Sequence, residues 1–172
     1  MRFRRWIVGV VCVVVVVMAL AGCTVKVSTD ERAARLKTEE RARVEAGVAT
    51  FMHRVADDVT REGPMAWKKE FQDGPQFFMA SEGQLAFRNG QEATQGIESF
   101  AKTIKNMELR WGDDLRIDAL TPELAAVGTA WKEVRVDVEG KSVTQGGYFT
   151  GVVEKRHGEW RFRDAHWSVA GK

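Results

Sequence analysis

Residues 108–170 read ELRWGDDLRIDALTPELAAVGTAWKEVRVDVEGKSVTQGGYFTGVVEKRHGEWRFRDAHWSVA, and Val, Thr and aromatic residues are frequent throughout. These residue types favour β-strands. The predicted strands are 108–119, 123–138, 142–155 and 159–170. Pairs typical of turns separate them, namely Thr121-Pro122, Glu139-Gly140 and His157-Gly158. The pattern predicts a sheet of long antiparallel strands in the second half of the chain.

The sequence before residue 108 predicts helices and one small hairpin. Phe51, Met52, Val55 and Val59 recur at helical spacing, and a short helix is expected from Trp67 to Phe71. Residues 76–80 and 84–88 flank a turn and predict a hairpin. A further apolar stripe predicts a third core helix, from Ile97, Phe100, Ala101, Ile104 and Met107. Helices followed by antiparallel strands indicate an α+β fold with helices on one sheet face.

The first 23 residues have the composition of a secretion signal. The chain has 172 residues and a net charge of +2, with Arg2, Arg4 and Arg5 close to its start. An uncharged stretch of 14 residues follows at 7–20, which is short for a membrane span and typical of a signal peptide. Leu20-Ala21-Gly22-Cys23 resembles the lipobox of bacterial lipoprotein precursors.

The lipobox resemblance implies cleavage between Gly22 and Cys23 and acylation of the Cys23 thiol, so that membrane lipid becomes a partner of the chain. Residue 24 is Thr rather than Asp, which favours the outer membrane in a Gram-negative host. The expected location is the cell envelope, on the periplasmic face of that membrane. One acyl chain binds a membrane marginally and several hold firmly, so the lipid alone is expected to tether the domain.

Cleavage changes the charge balance and the domain organisation. Without the three arginines of segment 1–22, 23 basic side chains face 24 acidic ones, a net charge of −1. Ser28-Thr29-Asp30-Glu31 matches a capping box and predicts a helix starting near residue 29. Residues 30–43 are mostly charged, so segment 23–44 is predicted to be a solvated helical stalk and 45–172 the folded domain.

Several short motifs, in this order and spacing, resemble the nuclear transport factor 2-like superfamily, and more specifically its SnoaL-like, polyketide-cyclase-like branch. They are Phe87-Arg88-Asn89-Gly90, Gly96-Ile97-Glu98-Ser99-Phe100, Leu120 to Val127 before Trp131, Phe149-Thr150, and Gly158 to Phe162 leading to His166-Trp167-Ser168. The resemblance implies a cystatin-like cone, in which a curved antiparallel sheet packs on three helices and leaves a pocket at the open end. Members of the superfamily include isomerases, dehydratases and non-catalytic binding domains, and many form homodimers through the sheet face. Fold alone therefore does not determine function.

The last predicted strand presents candidate catalytic groups. With a period of two, Trp160, Phe162, Asp164, His166 and Ser168 share one face. Trp160 and Phe162 are apolar, so this face is expected to point to the core and to the pocket. His166 there is a candidate general acid or base, because histidine is the residue type whose imidazole ordinarily changes charge near neutral pH. The alternative is that His166 and Ser168 form a buried hydrogen-bonded pair that only fixes the end of the sheet.

The neighbouring strand has two possible registers. A two-residue turn at His157-Gly158 pairs Val153 with Phe162 and directs Phe149 inward. A three-residue turn with a bulge directs Tyr148 inward instead, where its hydroxyl would be a pocket donor. The sequence leaves both registers open.

Other pocket-wall candidates lie on the earlier strands. Trp111 and Trp131 are expected in the core or the pocket wall. Glu133 shares a strand face with Trp131 and is either an inward carboxylate opposite His166 or a solvated sheet-edge residue. The predicted pocket lining is Trp111, Trp131, Tyr148, Phe149, Trp160, Phe162 and Ser168.

These patterns disfavour several classes of function. The three histidines, His53, His157 and His166, lack metal-ligand spacing, and no phosphate-binding glycine loop is present, so neither metal nor cofactor is expected. The net charge of −1 disfavours nucleic-acid binding. The preferred hypothesis is a lipid-anchored domain that binds a small apolar molecule, or assembles with itself or partners, without catalysis. The alternative is an isomerase- or dehydratase-type enzyme in which His166 transfers protons with Asp164 or Glu133.

Overall fold

Two helices pack on one face of a curved, seven-stranded sheet in the computed structural model, which describes residues 37–170. The helical segments are α1 (Thr38–Glu62), a 3₁₀ turn (Gly63–Ala66), α2 (Trp67–Glu70) and α3 (Gly90–Ala101). The strands are β1 (Phe78–Ser81), β2 (Gln84–Phe87), β3 (Ile104–Trp111), β4 (Arg116–Thr121), β5 (Leu124–Asp137), β6 (Ser142–Arg156) and β7 (Glu159–Val169). The predicted α+β class is confirmed, but α2 is a single turn, so two helices rather than three cover the sheet.

The sheet order is β2-β1-β7-β6-β5-β3, and β4 also pairs with β5. All neighbours are antiparallel except β1 and β7, which are parallel. The strand predicted at 108–119 is in fact two strands, because the chain turns at Gly112–Leu115. Asp114 holds this turn against β5: its Oδ1 accepts hydrogen bonds from the Ala130 N–H at 2.8 Å and the Thr129 hydroxyl at 3.1 Å.

Helix α1 buries the face that the apolar spacing predicts. Phe51, Met52, Val55 and Val59 are all buried, together with Val48 one turn earlier and Val44 two turns earlier. Residues 37–43 are mostly exposed, and the helix is continuous from there into the buried part. No helix among residues 37–170 is long and apolar enough to cross a bilayer. The predicted signal peptide, Cys23 and the capping box lie outside the described residues.

Helix α3 begins earlier and ends earlier than its apolar stripe predicts. The Asn89 side chain caps it by accepting a hydrogen bond from the Glu92 N–H at 2.9 Å. The helix ends at Ala101, where Thr103 bonds back to the Phe100 carbonyl through both its N–H and its hydroxyl. Ile104 and Met107 therefore belong to β3, and their place in the helical stripe was coincidental. Ile97 remains on the buried face of α3.

The turn between β6 and β7 has two residues, His157 and Gly158, with φ of 53° and 87°. Two successive left-handed residues form the tight hairpin turn that matches strand twist. Val153 accordingly pairs with Phe162, and Phe149 points inward and is fully buried. Of the two registers compatible with the sequence, the two-residue turn is the one present. Tyr148 lies on the outer face and is 43% exposed, so its predicted place in the pocket is wrong.

A β-bulge at Arg163 reverses the alternation of β7. Phe162 pairs with Val153, whereas Asp164 pairs with Val152, so Arg163 is an extra residue. Trp160 and Phe162 point inward before the bulge, and Ala165 and Trp167 point inward after it. The predicted inward orientation of Asp164, His166 and Ser168 is therefore wrong, because one inserted residue transfers all three to the outer face.

Candidate functional site

An aromatic-walled cavity of about 400 Å³ lies between α3, the β1–β2 hairpin and the inner face of the sheet. Six aromatic side chains form most of its walls: Trp67, Phe71, Phe87, Phe100, Trp131 and Trp167. Ile97 of α3 and Met107 of β3 add aliphatic surface. A mostly apolar concave site with a few polar groups is the usual form of a small-molecule site.

Trp167 is the central side chain of this wall. Its ring contacts four other aromatic rings, with centroid distances of 4.6 Å to Phe149, 5.1 Å to Trp131, and 5.7 Å to each of Trp67 and Trp111. The bulge at Arg163 places Trp167 on this face. The cavity wall thus depends on a local irregularity of β7.

Hydrogen bonds fix the indoles around Trp167. The Trp111 indole N–H donates to the Met52 carbonyl at 2.7 Å, and the Trp131 indole N–H donates to the Ser168 carbonyl at 3.2 Å. Both polar atoms are therefore satisfied by the protein itself, and the faces of the rings remain for apolar contact.

The polar end of the cavity consists of Glu133, Arg135 and Gln145. Glu133 and Arg135 lie two residues apart on the inner face of β5, and Gln145 is the direct cross-strand partner of Glu133 on β6. Arg135 donates from Nη1 to Glu133 Oε1 at 3.2 Å and from Nη2 to Gln145 Oε1 at 2.7 Å. Its guanidinium carbon lies 5.7 Å from the centre of the Phe100 ring, which is a cation–π distance.

Glu133 is a buried carboxylate, only 9% exposed. Burial raises the pKa of its carboxyl, and the nearby Arg135 guanidinium opposes that rise by stabilising the charged form. A carboxyl in such surroundings can accept a hydrogen bond from a ligand or exchange a proton with one. Glu133 points inward, which is one of the two orientations left open by the sequence. It does not face His166, as the enzyme hypothesis requires.

The structure separates His166 from Glu133. His166 is exposed on the outer face, where Nδ1 lies 3.4 Å from the Thr150 hydroxyl. Asp164 is half-buried on the same face, and burial raises the pKa of its carboxyl. Ser168 donates to the Tyr148 carbonyl at 2.9 Å and accepts from the Tyr148 N–H at 3.3 Å, so it fastens β6 to β7. None of these three side chains lines the cavity.

The remaining predicted wall residues have different positions. Trp131 lines the cavity, whereas Trp111 and Phe149 pack behind Trp167 and support it. Phe162 is fully buried in the core. Trp160 lines a second cavity, of about 470 Å³, together with Phe51, Arg54 and Lys69.

Several cavity residues were not predicted from the sequence, chiefly Arg135, Gln145, Trp67 and Trp167. A signal for Arg135 was available, because it continues the two-residue alternation of Trp131 and Glu133 along the same strand. Strict alternation along β7 places Trp167 on the outer face, and the bulge at Arg163 reverses that placement. Among residues 37–170, no group of three or more His, Cys, Asp or Glu side chains is arranged to hold a metal ion.

A separate group of buried and half-buried charges lies between α1 and α2. Glu70 is fully buried; its Oε1 accepts from Arg54 at 3.0 Å, and its Oε2 has no hydrogen-bond partner among the described residues. Burial raises the pKa of Glu70 to about 7, and nearby Asp58 adds to the rise. Lys69 and Arg61 pair with Asp58 and lower the pKa of that carboxyl.

Comparison with solved structures places the architecture in a known class. A nuclear transport factor 2-like superfamily protein from Salmonella enterica serovar Typhimurium LT2 aligns over 76% of this chain and 94% of its own, with a TM-score of 0.65 and 17% identity. A putative scytalone dehydratase from Novosphingobium aromaticivorans aligns over 78% and 89%, with a TM-score of 0.68 and 12% identity. A hexachlorocyclohexane dehydrochlorinase, LinA-type3, from Novosphingobium barchaimii aligns over 78% and 92%, with a TM-score of 0.61 and 13% identity.

The chain therefore has the nuclear transport factor 2-like fold, as its sequence motifs predicted. No protein-family model matches the chain, and no curated protein matches it. At 12–17% identity the similarity establishes the fold alone. The class includes both enzymes and proteins of unassigned function, so the cavity itself must indicate what the chain does.

Proposed function

We propose that this protein is a lipid-anchored, non-catalytic binding protein for a small, mainly apolar molecule. The observation that carries the proposal is the cavity of about 400 Å³ with aromatic walls and a polar end at Glu133, Arg135 and Gln145. Burial of apolar ligand surface is favourable by about 25 cal/mol for each Å² removed from water. A ligand that covers the faces of Trp131, Trp167 and Phe100 would draw most of its affinity from that term.

The anchoring half of the proposal rests on the sequence. Arg2, Arg4 and Arg5, the uncharged stretch at 7–20 and Leu20-Ala21-Gly22-Cys23 form the full pattern of a lipoprotein precursor. In that role Cys23 carries the lipid and segment 23–44 spaces the domain from the bilayer. The ligand would then be a molecule of the cell envelope or one that crosses it.

The binding proposal is tested by extracting the purified protein with organic solvent and analysing the extract by mass spectrometry. The wild type is expected to release a small apolar molecule at up to one copy per chain. The matched control is Val169→Trp, which places an indole in the cavity from its lining. The proposal is wrong if extracts of the two proteins are identical and a crystal structure has the cavity filled by its own side chains.

A second candidate function is proton transfer by Glu133. The observation in its favour is a buried carboxyl of raised pKa facing an apolar cavity, which is the environment of many acid–base catalysts. His166 does not fill this role, because its imidazole is exposed on the opposite face of the sheet, beside Thr150. Turnover of a ligand identified by extraction, with its loss in Glu133→Gln and not in His166→Ala, would favour this candidate over simple binding.

A further inference from the structure

We infer that the ligand carries an uncharged hydroxyl at its polar end, held between Glu133 and Gln145, and that carboxylate ligands are excluded. This inference rests on the proposed function, because it specifies the chemistry of the molecule that the cavity takes. It follows from the hydrogen bonds already made inside the cavity and from those that the protein leaves open.

Arg135 is the only positively charged side chain that lines the cavity among the described residues, and its charge is already matched. Nη1 is bonded to Glu133 Oε1, and the guanidinium also covers the Phe100 ring. A carboxylate that approached Arg135 would enter beside the buried Glu133 carboxylate. Two like charges at short range in a poorly hydrated site repel each other strongly. The ion pair therefore disfavours an anion that an isolated arginine would attract.

Glu133 and Gln145 each retain one unused hydrogen-bonding group. Glu133 uses Oε1 for Arg135, and among residues 37–170 no side chain bonds to its Oε2. Gln145 uses its carbonyl oxygen for Arg135, so its amide NH₂ is directed away from that bond. The carboxylate oxygen is an acceptor and the amide NH₂ is a donor.

These two groups project from directly paired positions of β5 and β6. Side chains at such positions start about 5 Å apart. A hydroxyl satisfies both, because it donates to the carboxylate oxygen and accepts from the amide. An ether or a halogen cannot donate, and an ammonium group cannot accept from Gln145. Phenols and alicyclic alcohols with a fused-ring body combine this polar group with surface for the aromatic walls.

The test compares three ligands of the same shape: 2-naphthol, 2-methylnaphthalene and 2-naphthoate. Their binding to the full-length protein in detergent is measured by equilibrium dialysis at pH 7.5. Val169→Trp in the same detergent gives the background signal, which comes from probe molecules that enter the micelles instead of the cavity. We expect 2-naphthol to bind at least about tenfold more tightly than 2-methylnaphthalene, since a hydrogen bond to a charged group in a buried site is typically worth that factor or more. We expect 2-naphthoate to bind most weakly.

Glu133→Gln provides the second arm of the test, and Glu139→Gln is the matched control, an exposed carboxylate in the turn between β5 and β6 that does not line the cavity. Glu133→Gln should reduce the preference for 2-naphthol and strengthen 2-naphthoate binding, because Arg135 loses its counter-ion. Glu139→Gln should leave the ranking unchanged.

Each result has a definite meaning. Tighter binding of 2-naphthoate than of 2-naphthol by the wild type would overturn the inference, as would equal binding of 2-naphthol and 2-methylnaphthalene, while the binding proposal would stand. If no probe binds above the Val169→Trp background, the binding proposal itself fails. The wild-type ranking decides the question even if Glu133→Gln does not fold.

Discussion

Glu70 is a buried side chain whose protonation is coupled to the stability of the fold. It is fully buried, and its pKa of about 7 lies above the ordinary value of 4.5 because burial disfavours the charged form. The unfolded chain therefore loses this proton near pH 4.5, whereas the folded chain keeps it until about pH 7. The stability that this carboxyl contributes is full below pH 4.5 and is lost as the pH rises through 7.

Glu70→Gln should consequently stabilise the folded state more at alkaline than at acidic pH. The amide stays neutral, so the free energy of unfolding of the variant, relative to wild type, should increase by about 2 kcal/mol between pH 5 and pH 8. Urea denaturation at the two pH values measures this difference. Glu62→Gln is the control. The pKa of Glu62 is lowered by Lys69 and Arg61, so this substitution should change the free energy of unfolding equally at both pH values. An unchanged difference for Glu70→Gln would show that its carboxyl is ionised throughout this range.

At the scale of single strands, the sequence predicted β7 correctly up to Phe162 and incorrectly after it. Strict alternation is a sound rule only while each residue has one cross-strand partner, and Arg163 has none. A signal for the bulge was nevertheless present. The apolar residues are Trp160 and Phe162 in one phase and then Ala165, Trp167 and Val169 in the other, with the charged pair Arg163-Asp164 at the change of phase.

The close packing of β6 on β7 depends on Gly147. A Cβ at this position would lie 1.9 Å from the Ser168 carbonyl oxygen, which is backbone and cannot move aside. Gly147→Ala should therefore lower the free energy of unfolding by about 3 kcal/mol or more, by forcing the two strands apart. Thermal unfolding followed by circular dichroism measures the loss.

The matched control for this substitution is Gly128→Ala on the outer face of β5. There a Cβ would make an ordinary contact of 3.5 Å with the Tyr148 ring. This variant should unfold within about 1 kcal/mol of wild type, as a substitution without a steric conflict normally does. If Gly147→Ala and Gly128→Ala lower the free energy of unfolding by similar amounts, the close approach of β6 and β7 at Gly147 is not the cause of the loss.

Across the described domain, the order of helices and strands could be predicted from the sequence, whereas most of the residues that line the cavity could not. The order follows from hydrophobic spacing and turn residues, which are local properties. The cavity combines Trp131 and Glu133 of β5, Gln145 of β6, Trp167 of β7 and Phe100 of α3. Their meeting depends on register and on one bulge, and neither can be obtained from spacing within a single segment. The inward position of Glu133 could be predicted as one of two alternatives. Glu133 shares a strand face with Trp131, and Lys132 between them lies on the other face.

The proposed lipid anchor is a property of the whole chain and is tested by Cys23→Ser. The wild type should incorporate a radiolabelled fatty acid and sediment with membranes after cell disruption. The variant should incorporate no label and accumulate as a precursor of higher mass, because in the proposed anchor the Cys23 sulfur is the atom that accepts the lipid. If the wild type sediments with membranes but incorporates no labelled fatty acid, the proposal of a lipid anchor is wrong.

The cavity beside Trp167 is proposed to receive an apolar molecule. The most direct test of this proposal is a crystal of the protein soaked with 1-bromonaphthalene, with diffraction data collected at the bromine absorption edge. An anomalous bromine peak is expected inside the cavity, between the rings of Trp131, Trp167 and Phe100. A cavity closed by its own side chains, with no bromine peak inside it, would show that the proposed binding of an apolar molecule is wrong.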